Sequence, residues 1–167
     1  MAAPVTLVLG GARAGKSAYA EALLGGGLYV ATAEPGDAEM AGRIAAHRAQ
    51  RGDAWTTIEE PFDLPGVLRR HARDRRPMLV DCLTLWLSNL MHADRAVDEA
   101  TRAVIAALDA REAATVFVAN EVGLGIVPDN ALARAFRDAQ GMLNKAIAAR
   151  ADRVVFMAAG LPLVLKG

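Results

Sequence analysis

The sequence has very little cysteine, no excess of charge of either sign and no long hydrophobic run. Its single cysteine, Cys82, excludes an internal disulfide framework. The 19 Lys and Arg residues balance the 19 Asp and Glu residues, so no net field attracts nucleic acid or an anionic membrane. No apolar run reaches membrane-spanning length, and no signal peptide is recognisable. We therefore expect a soluble, cytoplasmic protein in which a local site holds any anion.

The chain has the size of one ordinary domain. Its 167 residues are enough to bury a core and to build an open sheet with helices on its faces. The sequence shows no internal repeat, linker or low-complexity tract. We therefore expect residues 1–167 to form a single domain.

Short apolar runs alternate with longer amphipathic segments along the chain, as is typical of an α/β fold. Each apolar run suits a strand that is buried on both faces, which favours a mostly parallel sheet. The predicted strands are Val5–Leu9, Leu28–Ala31, Met78–Val80, Thr115–Ala119 and Val154–Ala158, and the closing "LPLVLK" is a candidate edge strand that could be antiparallel. The predicted helices are Lys16–Leu24, Ala38–Gln50, Leu64–Arg73, Leu83–Met91, Arg95–Arg111 and Asn130–Arg150.

The strongest motif is "VTLVLGGARAGKSAYAE", which completes the pattern G-x-x-x-x-G-K-[ST]. It follows a buried-strand run and precedes a helical segment, a context that favours a P-loop over an ordinary glycine-rich turn. In a P-loop, backbone N–H groups and the helix N-terminus bind the β-phosphate. Lys16 would then reach the β/γ oxygens, and the Ser17 hydroxyl would bind Mg²⁺. The predicted nucleotide-binding loop is Gly10, Gly11, Ala12, Arg13, Ala14, Gly15, Lys16 and Ser17.

A P-loop needs a second carboxylate for its metal, and Asp81 is the candidate. It ends the apolar run "PMLVD", where a carboxylate at the carboxyl end of a strand suits the hard Mg²⁺ ion. The alternative is that Asp81 caps the helix that begins with "CLTLWLSNL". We favour the metal or nucleotide role.

A second polar pair follows the strand in "TVFVANEVGLGIVPDN". Asn120 and Glu121 should project from the carboxyl edge of the sheet, where open α/β sheets bind ligands. The glycines and the proline that follow predict a shaped loop that ends with Asp129 or Asn130 as a helix cap. The alternative is an ordinary connection between a strand and a helix.

His47 lies in the basic stretch "RIAAHRAQRG". On a helix, Arg43, His47 and Arg51 would share one face. By itself such a histidine is most often a solvated surface residue. The other basic stretch, "LRRHARDRRP", could bind a polyanion, but a solvated helix end favoured by the macrodipole explains it better.

Four segments together resemble one family: "GGARAGKSAYAE", "YVATAEPGDAEMAGRIAAHRAQR", "LVDCLTLWLSNL" and "NEVGLGIVPDNALARAFRDAQGMLNKAIA". They are similar to the bifunctional adenosylcobinamide kinases / adenosylcobinamide-phosphate guanylyltransferases of cobalamin biosynthesis, over nearly the whole chain. The resemblance implies a P-loop NTPase-like (RecA-like) fold with a mostly parallel sheet flanked by helices. It implies phosphorylation of adenosylcobinamide with ATP or GTP, then transfer of GMP from GTP onto that phosphate. It also implies a homotrimer.

The resemblance gives His47 a chemical role. In the family a histidine in this segment attacks the α-phosphate of GTP and carries GMP until the corrinoid phosphate accepts it. A histidine with an ordinary pKa of about 6.5 is largely neutral and nucleophilic at pH 7. Some relatives carry two adjacent histidines, whereas this sequence has Ala46 before His47. The resemblance therefore assigns the nucleophile to His47.

The resemblance also implies further nucleotide contacts beside the metal site that the motifs predict. The implied nucleotide-binding residues outside the P-loop are Thr32, Ala33, Glu34, Arg48, Ala49, Gln50, Arg51, Glu59 and Asp81. Ser17 and Asp81 would hold Mg²⁺, with Asp81 standing where relatives can have Glu. Two other functions remain open from the residues alone: a plain P-loop small-molecule kinase, and a nucleotide-binding regulatory protein without transferase activity.

Overall fold

The computed structural model describes residues 3–34, 42 and 52–167. The predicted helix Ala38–Gln50, which contains His47, lies outside these described residues except for Gly42. The predicted contacts Arg48, Ala49, Gln50 and Arg51 lie outside them as well.

The described chain alternates strands and helices. The strands are β1 (Val5–Gly10), β2 (Gly27–Ala31), β3 (Trp55–Glu59), β4 (Met78–Asp81), β5 (Thr115–Asn120), β6 (Arg153–Ala158) and β7 (Leu161–Lys166). The helices are α1 (Lys16–Leu24), α2 (Leu64–Arg70), α3 (Leu83–His92), α4 (Val97–Leu108) and α5 (Ala131–Arg150), with a short 3₁₀ turn at Gly52–Ala54. None of these described helices has the length and apolar character that a membrane crossing requires.

The strands form one sheet in the order β3-β2-β4-β5-β1-β6-β7. All neighbouring pairs are parallel except β6 and β7, which are antiparallel. The predicted mostly parallel sheet with an antiparallel edge strand is therefore confirmed. Because the strands from β1 to β6 run the same way, their carboxyl ends meet at one edge of the sheet.

Apolar side chains cover both faces of the sheet. Alternate residues of one strand point to opposite faces, so Leu7 packs in one cluster and Val8 in the other. The larger cluster joins the sheet to α2, α3, α4 and α5, and the smaller one joins it to α1 through Ala20. Every residue of β1 is buried, which agrees with the uninterrupted apolar run that predicted this strand.

One strand, β3, was not predicted. It is an edge strand whose residues are only partly buried or exposed, so its sequence "WTTIE" lacks the continuous apolar run of the central strands. Two predicted helices are shorter than expected, since α2 ends at Arg70 and α4 spans Val97–Leu108. Residues 71–73 and 109–110 form turns instead, while Arg95, Ala96 and Arg111 lie in irregular chain beside the helix ends, where amphipathic periodicity continues beyond the helical hydrogen bonds.

Candidate nucleotide-binding site

The predicted P-loop joins the end of β1 to the start of α1. Gly10 has a φ of 154°, and a Cβ atom there would lie 2.6 Å from the carbonyl oxygen of Met157. Gly15 has a φ of 93° and is the N-cap of α1, so both ends of the loop adopt conformations that favour glycine. The loop therefore delivers the chain to a helix N-terminus whose first N–H groups are available to an anion.

Lys16 lies inside this loop and is 8% exposed. Its Nζ donates a 2.6 Å hydrogen bond to the carbonyl oxygen of Gly11. Burial lowers the pKa of Lys16, while negative charge on Cys82 and Asp81 would raise it. Because burial raises the pKa of the Cys82 thiol to about 11, that thiol is neutral at pH 7 and Asp81 supplies the charge. A bound phosphate would offer Lys16 a charged acceptor in place of the Gly11 carbonyl.

Asp81 is the last residue of β4 and is partly buried. The phenol of Tyr29, on the neighbouring strand β2, donates a 2.5 Å hydrogen bond to its Oδ2. Asp81 does not cap α3, because the N-cap is Cys82, whose Sγ accepts from the N–H of Leu85 at 3.4 Å. The carboxylate thus lies at the carboxyl edge of the sheet with one oxygen oriented by a buried tyrosine.

Thr32 joins the ends of β2 and β4. Its Oγ1 donates to the carbonyl oxygen of Cys82 at 2.6 Å and accepts from the N–H of Cys82 at 2.8 Å. Asn89 of α3 donates to the carbonyl oxygen of Thr32 at 2.8 Å. The side chain of Thr32 is fully buried, whereas Ala33 is partly buried and Glu34 is exposed. Thr32 therefore positions this turn, and its next two residues are the ones that solvent or a ligand can reach.

Asn120 and Glu121 lie beside the P-loop at the carboxyl edge, where the sequence places them. Asn120 is aligned with Gly10 in the parallel pairing of β5 and β1. The N–H of Glu121 donates to the carbonyl oxygen of Gly10 at 3.1 Å. Thr84 of α3 accepts from the N–H of Asn120 at 2.8 Å, and Asn144 of α5 donates to its carbonyl oxygen at 3.1 Å. Strand, loop and two helices therefore fix the position of Glu121.

The described residues can offer Mg²⁺ only a sparse set of ligands. Among them, no group of three or more His, Cys, Asp or Glu side chains could hold a metal ion. Ser17 in the first turn of α1 and Asp81 at the end of β4 provide hard oxygen atoms. This donor set fits Mg²⁺, which commonly keeps several waters and binds through one or two protein oxygens plus substrate phosphates.

Glu59 lies at the far end of the same edge. It is the last residue of β3, is exposed, and is aligned with Ala31 of β2. Four strand steps separate β3 from β1, which corresponds to roughly 19 Å at the usual strand spacing. Asp81 of β4 is level with the same Ala31 and lies two strand steps from both β3 and β1, or roughly 10 Å from each, so it stands between Glu59 and the P-loop along this edge.

The basic stretch Arg69–Pro77 lies at the opposite, amino edge, because it leads into the start of β4. Arg76 forms a 2.7 Å ion pair with Asp74, and the buried guanidinium of Arg111 donates to the backbone carbonyls of His71, Asp74 and Arg76. The hydrogen bonds of Arg111 stabilise the turn after α2, and Arg76 is paired with Asp74. This arrangement agrees with the expected helix end rather than with a polyanion site.

Comparison with known proteins gives a match over almost the whole chain. A family model described as cobinamide kinase / cobinamide phosphate guanyltransferase matches residues 6–165. The bifunctional adenosylcobalamin biosynthesis protein CobP of Pseudomonas aeruginosa is 48% identical over 167 residues, covering 96% of each chain. The bifunctional adenosylcobalamin biosynthesis protein CobU of Salmonella typhimurium is 39% identical over 178 residues, covering 96% of this chain and 98% of that protein.

A solved structure supports the fold. A KaiC-like protein from the hyperthermophilic archaeon Pyrococcus horikoshii superimposes with a TM-score of 0.51 and 11% identity. The superposition covers 93% of this chain and 71% of that protein. At this identity the likeness concerns the fold alone, and it confirms the predicted P-loop NTPase-like arrangement.

Proposed function

We propose that this chain, which belongs to the cobinamide kinase / cobinamide phosphate guanyltransferase family, phosphorylates adenosylcobinamide and then transfers GMP to the product. The structural observation that carries the proposal is the glycine-bounded P-loop, in which buried Lys16 lies near Asp81. One domain, residues 1–167, would perform both reactions in the cytoplasm.

In the first reaction the side-chain hydroxyl oxygen of cobinamide attacks the γ-phosphorus of ATP or GTP. The bond between that phosphorus and the β–γ bridging oxygen breaks, and the hydroxyl proton leaves to solvent. The loop from Gly10 to Ser17 binds the phosphates, and Lys16 follows the charge onto the transferred group. Ser17 and Asp81 would hold Mg²⁺, which neutralises charge on the phosphate oxygens when bound.

In the second reaction His47 attacks the α-phosphorus of GTP. A P–N bond forms, the bond to the β-phosphate breaks and pyrophosphate leaves. The phosphate of the corrinoid then attacks the same phosphorus, so that GMP passes to the product and the imidazole is released. The turn formed by partly buried Ala33 and exposed Glu34 supports a nucleotide contact on the β2 side of the edge. Arg48, Ala49, Gln50, Arg51 and Glu59 are proposed to complete the nucleotide contacts.

We also propose that the active assembly is a homotrimer. A corrinoid is too large for a pocket enclosed by a chain of this length, so a neighbouring subunit would complete the site. The strand β7 supports association, because all six of its residues are exposed and several are leucines. Exposed apolar edge strands in a lone subunit are liable to pair with other chains.

The experiment that tests the function combines both reactions. The protein is incubated with ATP, Mg²⁺ and adenosylcobinamide, and phosphorylated cobinamide is quantified. A parallel sample receives GTP labelled at the α-phosphate and is denatured, digested and analysed by mass. Phosphorylated cobinamide together with one GMP on the His47 peptide supports the proposal. Phosphorylation without any adduct identifies a plain kinase, and nucleotide binding without either product identifies a regulatory protein.

A further inference from the structure

An apolar groove of about 500 Å³ lies between α3 and the start of α5. Its apolar wall is formed by Met91, Leu132, Ala133 and Phe136, and its polar rim by Ser88, His92 and Asn130. Among these described lining residues there is no Asp, Glu, Lys or Arg. The groove is therefore suited to an uncharged, largely apolar body with polar groups at its margin, rather than to nucleotide phosphates.

The groove is connected to the P-loop by the 121–130 loop. This loop begins at Glu121, whose N–H is bonded to the carbonyl oxygen of Gly10, and it ends at Asn130 on the groove rim. Its far end is fixed, since Arg134 donates to the carbonyl oxygen of Pro128 at 2.9 Å and Asn130 Oδ1 accepts from Ala133 N at 2.8 Å. One loop that is hydrogen-bonded at both ends therefore joins the P-loop side of the sheet edge to the groove rim.

The same loop exposes three large apolar side chains. Leu124 is 79% exposed, Ile126 is 97% exposed and Val127 is 62% exposed. Leu132, two residues beyond the end of this loop and on the groove wall, is 65% exposed. The loop between the P-loop side and α5 therefore adds exposed apolar side chains to those of the groove, and exposed apolar surface commonly marks ligand or partner sites.

We propose that this surface, the groove and the 121–130 loop together, binds the corrin ring of the cobinamide substrate while its hydroxyl side arm reaches the P-loop. This inference rests on the proposed function, because that function supplies a substrate far larger than a nucleotide. A corrin ring presents broad apolar faces with amides at its perimeter. The apolar wall matches the ring faces. At the rim, Asn130 Oδ1 caps α5 and His92 Nδ1 is bonded to the carbonyl oxygen of Ser88 at 2.7 Å, so the groups proposed to meet the amides are His92 Nε2, Asn130 Nδ2 and the Ser88 hydroxyl. The groove is open, so it holds part of the ring and leaves the rest outside.

The test measures KM for cobinamide and KM for ATP in the kinase reaction of wild type and three variants. Leu132→Asp places a carboxylate on the groove wall, and Ile126→Asp places one on the loop. The matched control is Met142→Asp, which changes a 59% exposed side chain on the same helix about 15 Å further along. An acidic residue at the N-terminus of α5 is favoured by the helix dipole, so Leu132→Asp should fold at least as well as the control. Circular dichroism and light scattering accompany every assay.

We expect Leu132→Asp and Ile126→Asp to raise the KM for cobinamide about tenfold or more, because each variant loses an apolar contact and must desolvate a carboxylate against an apolar ligand. The KM for ATP should stay at the wild-type value, and Met142→Asp should leave both constants unchanged. If both variants keep the wild-type KM for cobinamide, the inference is overturned. The proposed function would still stand in that case, because the wild type phosphorylates cobinamide. A change in molecular mass in either variant would also overturn it, because the surface would then be a contact between copies of the chain. Failure of the wild type to phosphorylate cobinamide would refute the proposed function itself.

Discussion

The hydroxyl of Tyr29 donates a 2.5 Å hydrogen bond to Oδ2 of Asp81 across two neighbouring strands. Tyr29 is 2% exposed, so the carboxylate at the edge of the sheet is oriented from within the core. Asp81 also raises the pKa of Lys16 against the effect of burial. A core tyrosine therefore positions the carboxylate that helps to keep the P-loop lysine protonated.

Tyr29→Phe should lower the apparent affinity of the enzyme for Mg²⁺ in the kinase reaction without abolishing that reaction. The substitution deletes the hydrogen bond that orients Asp81, and a hydrogen bond to a charged group is worth about 1.5–3 kcal/mol. We expect the Mg²⁺ concentration for half-maximal kinase activity to rise severalfold, and Asp81→Asn to raise it further. The other tyrosine gives a control, since Tyr19→Phe changes a partly buried residue of α1. A Tyr29→Phe enzyme with the same Mg²⁺ dependence as wild type would show that this bond does not serve the metal.

Lys16→Ala should abolish cobinamide phosphorylation and leave the fold intact. Loss of the cation that follows the transferred phosphoryl group should cost several kcal/mol of transition-state stabilisation, or about a thousandfold or more in rate. Product formation is measured with ATP at saturation, and Lys145→Ala serves as a control because Lys145 is an exposed lysine of α5. Near wild-type turnover by folded Lys16→Ala protein would refute the P-loop assignment.

His47→Asn should separate the two activities. The imidazole is the proposed carrier of GMP, whereas transfer of the γ-phosphoryl group needs Lys16 and the metal but no nucleophilic histidine. We expect no GMP adduct and no guanylyl transfer, with cobinamide phosphorylation retained. The wild-type adduct should be labile in acid and durable in base, because protonation makes imidazole a good leaving group. His71→Asn should keep the adduct, and an adduct on any residue other than His47 would contradict the mechanism.

The stability of the fold should fall between about pH 9 and pH 11 because of Cys82. Burial raises the pKa of this thiol from an ordinary 9.0 to about 11, with the Asp81 charge as the second cause. Above pH 9 the unfolded chain has lost the thiol proton that the folded chain still holds, so the free energy of unfolding decreases with rising pH until the folded thiol ionises. Urea unfolding at a series of pH values measures this slope.

Cys82→Ser is the matched variant for that measurement. Its hydroxyl does not ionise in this range and can still accept from the N–H of Leu85 as the N-cap of α3. The wild type should therefore lose more stability than Cys82→Ser between pH 9 and pH 11. Equal slopes in the two proteins would mean that the buried thiol does not contribute. Native wild type should also resist alkylation at pH 8, where its thiol is protonated.

Light scattering should give a mass of three chains under assay conditions. The exposed leucines Leu161, Leu163 and Leu165 of β7 leave apolar surface at the sheet edge that a further subunit could cover. Closed cyclic symmetry would create three equivalent sites. A monomer that stays fully active on dilution would contradict the assembly.

Much of the fold could be predicted from the sequence because its signals are local. The buried runs that become β1, β2, β4, β5 and β6, and the helical segment that becomes α1, follow from side-chain periodicity within one element. The P-loop could likewise be predicted from its glycines, because Gly10 and Gly15 have positive φ values that favour glycine. The edge strand β3 was missed, since partial burial removes the apolar run on which the prediction depends.

By itself, the sequence determined the strand–loop–helix unit of the P-loop, the mostly parallel sheet and the polar residues that end its strands. Only the tertiary structure decided which of those residues meet. In the folded chain Cys82 is the N-cap of α3, Asp81 accepts a hydrogen bond from Tyr29, and Thr32 donates one to the carbonyl oxygen of Cys82, which joins the ends of β2 and β4. These pairs lie about fifty residues apart in the chain, and the order of strands in the sheet brings them together. Periodicity within a strand reports which face is buried, but the hydrogen bonds of a site depend on which strands become neighbours, and that is settled only when the whole sheet packs.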